Sequence, residues 1–151
     1  MPRLKELIEL HLPAGGRIGI LGLAYKPQTN VVERAQGLEL AQELLADGHS
    51  VSVYDPCALD AARPILKGDV TFAESAGDCI AQADVVMICN PSAEFKALNA
   101  GDFVRTEGHV TVIDCWRLLD RQSLGDACHY VAIGNSNVRN LAPARSLAKA
   151  G

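Results

Sequence analysis

Short runs of unbroken apolar residues alternate along this chain with amphipathic stretches, and that alternation leaves few folds open. Residues 17–22, 50–54, 70–72, 84–89, 110–115 and 130–133 read as strands, most of them apolar throughout rather than at every second position. Between them, helical spacing recurs. Leu4, Leu7, Ile8 and Leu12 share one face of a first helix, and Leu38, Ala41, Leu44 and Leu45 share one face of a second, with Gly48 just past its end. Shorter helices are expected over 58–66 despite Pro64, over 75–82 and over 94–98. Strands apolar on both sides need cover on both sides, so the expected class is α/β: a Rossmann-like, doubly wound, mainly parallel sheet with helices on both faces, a three-layer sandwich. Residues 141–150 are expected to form a last helix or to fray.

At 151 residues the chain suits one domain, 1–151, in which residues 1–14 form a leading helix. The formal net charge is -4 and no Lys/Arg block occurs, which argues against nucleic acid and anionic membrane as partners. No apolar run approaches the ~20 residues of a membrane span, so the expected compartment is the cytoplasm. The five cysteines are odd in number, lack CxxC spacing and fall mostly in apolar runs, which reads as a reduced core. The four histidines show no ligand spacing, and no metal site is expected.

Ligands of such sheets bind beyond the carboxyl ends of the strands, where strand order reverses. Three segments qualify: the loop after Leu21, the turn at Asp55-Pro56 and the stretch after Ile113. Gly19, Gly22 and the strand-closing Asp55 are elements of a dinucleotide fingerprint. The next helix, however, begins about ten residues too late for a pyrophosphate to dock on its N-terminus. Strand packing and turn geometry are therefore the preferred reading of those glycines. Within the loop, Lys26 is either an ordinary surface cation or a point charge for a phosphate, presented on backbone stiffened by Pro27.

The run from Gly19 through Gly22-Leu23-Ala24-Tyr25-Lys26-Pro27 to Asn30 resembles the opening of the C-terminal domain of the UDP-glucose/GDP-mannose dehydrogenase family, which typically reads GLAFKP-x-TDD-x-RES. The resemblance continues in Gly37-Leu38-Glu39-Leu40-Ala41, Val53-Tyr54-Asp55-Pro56, Asp84-Val85-Val86-Met87-Ile88, Glu94-Phe95-Lys96-Ala97-Leu98 and Val112-Ile113-Asp114, and so covers most of the chain in order. It implies a domain that binds the nucleotide diphosphate of a UDP- or GDP-sugar, with Lys26 matching the family lysine that contacts the ligand and Tyr25 beside it. Where the family often reads DGRN this chain has Asp114-Cys115-Trp116-Arg117, so the family arginine aligns with Trp116. Trp116 stacking on a base and Arg117 forking onto phosphate would share that role; the alternative is that Trp116 caps the core. Residues 30–34 have lost the acids of the family pattern, which leaves the sugar open.

The resemblance also implies an NAD-dependent oxidoreductase of the kind that serves polysaccharide biosynthesis. Its NAD-binding domain and its catalytic cysteine, in a GGxCxPKD-like motif, match nothing here. Catalytic residues are therefore expected to be none, and the chain alone is expected to be inactive and to bind no cofactor. It would work with those domains supplied in cis or in trans, in a homo-oligomer. Two other functions stay open: a stand-alone NAD-binding or redox-sensing Rossmann module, and a non-catalytic oligomerisation domain.

Overall fold

The computed structural model describes residues 2–133, so the expectation for 141–150 lies outside the described residues. The elements run α1 (Pro2–His11), β1 (Arg17–Leu21), α2 (Gln36–Ala46), β2 (Ser50–Tyr54), α3 (Leu59–Ala62), β3 (Val70–Phe72), α4 (Ala76–Ala81), β4 (Val85–Ile88), α5 (Ala93–Lys96), a 3-10 turn (Ala100–Asp102), β5 (Thr111–Asp114), α6 (Arg121–Leu124) and β6 (His129–Ala132). The six strands form one sheet in the order β3-β2-β1-β4-β5-β6, and every pairing is parallel. The chain works outward from β1 to β3, then crosses back to lay β4 on the other side of β1. Order therefore reverses between β1 and β4.

Alternation along each strand splits the core in two. Ile18, Ile20, Val51, Val53, Val85, Met87 and Ile113 face α1, α2 and α3. Leu21, Val86, Ile88, Val112 and Tyr130 face α4, α5 and α6, with Phe95 and Phe103 fully buried among them. Each such aliphatic or aromatic side chain contributes about 1.5–3 kcal/mol of transfer free energy, which outweighs the weak helix propensity of the short outer helices.

Local chemistry sets the ends. Gly48, at φ +93°, closes α2: its N–H donates to Leu45 O and the N–H of His49 to Leu44 O, the paired bonds of a Schellman turn. Ser75 caps α4 by accepting from the Asp78 N–H. The helix expected over 58–66 stops at Ala62, because Pro64 has no N–H to give Asp60. Strand β6 and the two turns at Ala100–Asp102 and Arg121–Leu124 complete the second face.

At the end of α1 the His11 ring lies 5.1 Å, centroid to centroid, from that of His129 at the start of β6. Burial first, and the neighbouring His129 second, hold His11 below its ordinary value of 6.5. The unfolded chain then binds the proton more readily than the folded one. His11's contribution to stability is complete above about pH 6.5 and drains away as pH falls from there through the folded-state value. Urea midpoints at pH 7.5 and 5.5 are expected to differ more for the parent than for His11→Gln; equal differences would refute the assignment.

Candidate functional site

Asp55 follows the last residue of β2 and is 3% exposed, yet its carboxylate is saturated. Oδ2 accepts from the N–H groups of Leu23 (2.8 Å) and Ala24 (3.0 Å) and from Asn90 Nδ2 (3.2 Å). Oδ1 accepts from the N–H groups of Cys57 (2.8 Å) and Ala58 (3.0 Å). One side chain thus ties its own turn to the start of the loop after β1. Buried polar groups are tolerated only when paired in this way, and a paired set fixes the backbone around it.

Beyond Ala24 that loop emerges into solvent. The Tyr25 N–H donates to Val31 O at 2.7 Å, closing a small lobe that carries Tyr25 and Lys26, both exposed. No acidic side chain pairs with Lys26 among the described residues. Gln28 and Arg34 in this loop, and Arg117 in the loop after β5, are the non-glycine residues with left-handed backbone among those described. Each such residue costs on the order of 1 kcal/mol, so these loops hold shapes their sequence does not favour locally.

The loop after β5 hangs from a second carboxylate. Asp114 is fully buried; its Oδ1 accepts from the Trp116 N–H (3.1 Å), and its Oδ2 accepts from the Leu119 N–H (3.0 Å) and from the Tyr130 hydroxyl (2.7 Å). Burial, then the Asp114 partner, pushes the Tyr130 phenol upward, which keeps it a donor. Trp116 is 52% exposed, and its indole Nε1 donates to Cys89 O at 3.1 Å. The ring is therefore held by one edge with much of its surface in solvent. Arg117 follows, exposed.

These loops come together because β1 and β5 flank β4. With neighbouring strands about 4.8 Å apart, the last residues of β1 and β5, from which the two loops depart, stand about 10 Å apart across the tip of β4. All four sequence-predicted site residues thus lie at the carboxyl end of the sheet, astride the point where strand order reverses. Asp55, Asn90, Asp114 and Tyr130 hold them there. The signal for the two aspartates was an acid ending an apolar run; for Asn90 it was a turn residue before a proline.

The same geometry tests the dinucleotide fingerprint, and the residues do not fit. Asp55 has no oxygen left for a ribose. Gly19 packs on α4, where a Cβ would lie 3.0 Å from Ala83 Cβ and 3.2 Å from Cys79 Sγ. The N-terminus of α2 is pressed onto the end of β1, so that a Cβ on Gly37 would run into Gly22 O. Gly37 does the helix-packing work of a third fingerprint glycine, but after a long loop rather than a tight turn.

The remaining candidates are accounted for otherwise. Cys79, Cys89 and Cys128 are buried, and burial pushes the Cys79 thiol up to about 12. Cys57 is exposed and Cys115 half-buried. Among the described residues no cluster of His, Cys, Asp or Glu is arranged to hold a metal, and no helix is long and apolar enough to cross a membrane. Clefts of about 490 and 370 Å³ open at the opposite, amino-terminal ends of the strands, lined by Glu9, Asp47 and His49 in one case and by Val104, Arg105 and His109 in the other.

With the fold and these loops described, comparison with known proteins is direct. A model of the UDP-glucose/GDP-mannose dehydrogenase family, UDP binding domain, matches residues 19–121. The UDP-glucose 6-dehydrogenase AglM of Haloferax volcanii is 38% identical over 96 residues, 64% of this chain and 21% of that protein. A UDP-glucose 6-dehydrogenase of Rickettsia conorii is 28% identical over 123 residues, 80% of this chain and 28% of that protein. Among solved structures, a UDP-glucose dehydrogenase from Pyrobaculum islandicum superposes with a TM-score of 0.63 at 28% identity, covering 87% of this chain and 28% of that one. The chain therefore spans between a fifth and a third of the length of these relatives.

Proposed function

The chain belongs to the UDP-glucose/GDP-mannose dehydrogenase family, in the part described as its UDP binding domain, and on that premise we propose that it holds the nucleoside diphosphate of a UDP- or GDP-sugar. Lys26 carries the reading: an exposed cation without an acidic partner among the described residues, on a loop pinned by Asp55 above the reversal point of the sheet. Its ammonium meets the diphosphate as a point charge, with Tyr25 beside it. Across the tip of β4, Trp116 offers an indole face to the base, and Arg117 a guanidinium to the phosphates.

Oxidation of the sugar, in this reading, belongs to NAD and to catalytic residues outside residues 1–151, in cis or in trans, within an oligomer. The role of this domain is to fix the nucleotide so that the sugar projects toward them. Binding energy from the remote nucleotide then orients the reacting end.

Calorimetric titration with UDP, UDP-glucose and GDP-mannose tests the proposal. A charge-assisted contact with phosphate contributes about 1.5–3 kcal/mol, so Lys26→Ala is expected to weaken UDP roughly 10–100-fold, with the loss shrinking at high salt. UDP binding to the parent that Lys26→Ala leaves unchanged would remove Lys26 from the site.

A further inference from the structure

Asn90 stands at the tip of β4, 1% exposed, with both ends of its side chain engaged. Nδ2 donates to Asp55 Oδ2 at 3.2 Å and lies 3.4 Å from Ala24 O. Oδ1 accepts from the Ser92 N–H at 3.2 Å and from the Ser92 hydroxyl at 2.7 Å. A position that needed only volume would take an apolar side chain and avoid the cost of burying an amide. The loop after β1 is also drawn onto Asn90: a Cβ at Gly22 would lie 2.8 Å from the Asn90 backbone nitrogen. The residue before it, Cys89, accepts the Trp116 indole N–H on its carbonyl. Two consecutive residues of one strand end therefore locate both loops.

We infer that Asn90 is a positioning residue, which sets where Lys26 meets the ligand's phosphates by tying Ala24 and Asp55 to the tip of β4. The inference rests on the nucleotide-diphosphate reading of the Lys26 loop. Ala24 is two residues from Lys26, and the Asn90 amide is the side-chain link from β4 to that stretch of backbone. Without it, Asp55 still holds the Leu23 and Ala24 N–H groups, so the loop stays attached but loses its side-chain tie from Ala24 to the neighbouring strand.

Trp116 is the one tryptophan of the chain, so its fluorescence follows ligand binding. Titrations with UDP and with uridine, on the parent, Asn90→Ala, Lys26→Ala and the double variant, separate positioning from general loss of structure. Asn90→Ala is expected to weaken UDP about tenfold and uridine less than about twofold, because only the phosphates depend on Lys26. The double variant is expected to bind UDP within about twofold of Lys26→Ala alone, as two residues acting through one contact should. Ser92→Ala, which removes the shorter of the two hydrogen bonds to the amide oxygen and leaves the Asn90 donors, should shift UDP the same way by a smaller factor; it decides the matter if Asn90→Ala does not fold. Equal losses for UDP and uridine, multiplicative losses in the double variant, or parent-like UDP binding by Asn90→Ala and Ser92→Ala would overturn the inference alone. Failure of the parent to bind UDP would overturn the diphosphate reading, and this inference with it.

Discussion

Replacing Asp55 by alanine is expected to destabilise the fold by about 4–5 kcal/mol, at the upper limit of single substitutions. Four backbone N–H groups and the Asn90 amide converge on this carboxylate inside the protein. Hydrogen bonds to a charged acceptor contribute about 1.5–3 kcal/mol each, and their loss is less than additive because the donors relax together. In a chain of 151 residues that corresponds to a fall in Tm of roughly 8–20 °C. Asp55→Asn separates the alternatives more sharply. Both carboxylate oxygens face donors, so an amide NH2 has no side on which to point, and the isosteric change should cost at least half as much. An acid serving only a cofactor ribose would tolerate asparagine without loss of stability. Thermal unfolding of both variants within 3 °C of the parent would refute the structural role.

How far the sequence could be read follows from which interactions are local. Strands β2 and β3 fall at residues 50–54 and 70–72 as expected, because runs such as Ser50–Tyr54 end at turn-forming residues and carry their signal within a few positions. The buried face of α2 and the turn at Gly48 were equally legible, since a periodic face and a left-handed glycine are properties of contiguous residues. Four-residue helices such as α6 are too short for any periodicity, and their stability comes from side chains like Leu124 buried in the second core. The site divides in the same way. Lys26 and Trp116 stood out by motif. That Asp55 reaches 32 residues back to Leu23 depends on the crossover through α2 that lays β2 beside β1, and that Asn90 reaches 66 residues back to Ala24 depends on the crossover that lays β4 beside β1. Proximity in the sheet is invisible to spacing in the chain, so the sequence shows that Asp55 closes a strand but not which donors it holds.

The seating of α2 in its crossover from β1 to β2 makes a helix-favouring substitution destructive. Gly37→Ala sits in the first turn of α2, where exchanging glycine for alanine ordinarily gains about 0.5–1 kcal/mol of helix propensity. Here the added methyl would point into Gly22 O, with Cys89 Cβ 3.1 Å away on the other side. The obstacle is backbone, which no rotamer change relieves, so either α2 lifts from the sheet or the end of β1 bends. Overpacking of this kind costs typically 1–3 kcal/mol and occasionally more, and the rigid partner places this case at the upper end. Net destabilisation of about 3 kcal/mol is expected, a fall in Tm of roughly 6–12 °C. The loop that bears Lys26 is strung between the two elements forced apart, β1 and α2. Affinity for UDP should therefore fall alongside stability, whereas a matched substitution on the exposed face of the helix, Glu39→Ala, should leave both unchanged. Were Gly37→Ala as stable as the parent, the tight seating of α2 on β1 would be wrong, and with it the reason a dinucleotide has no room at this turn.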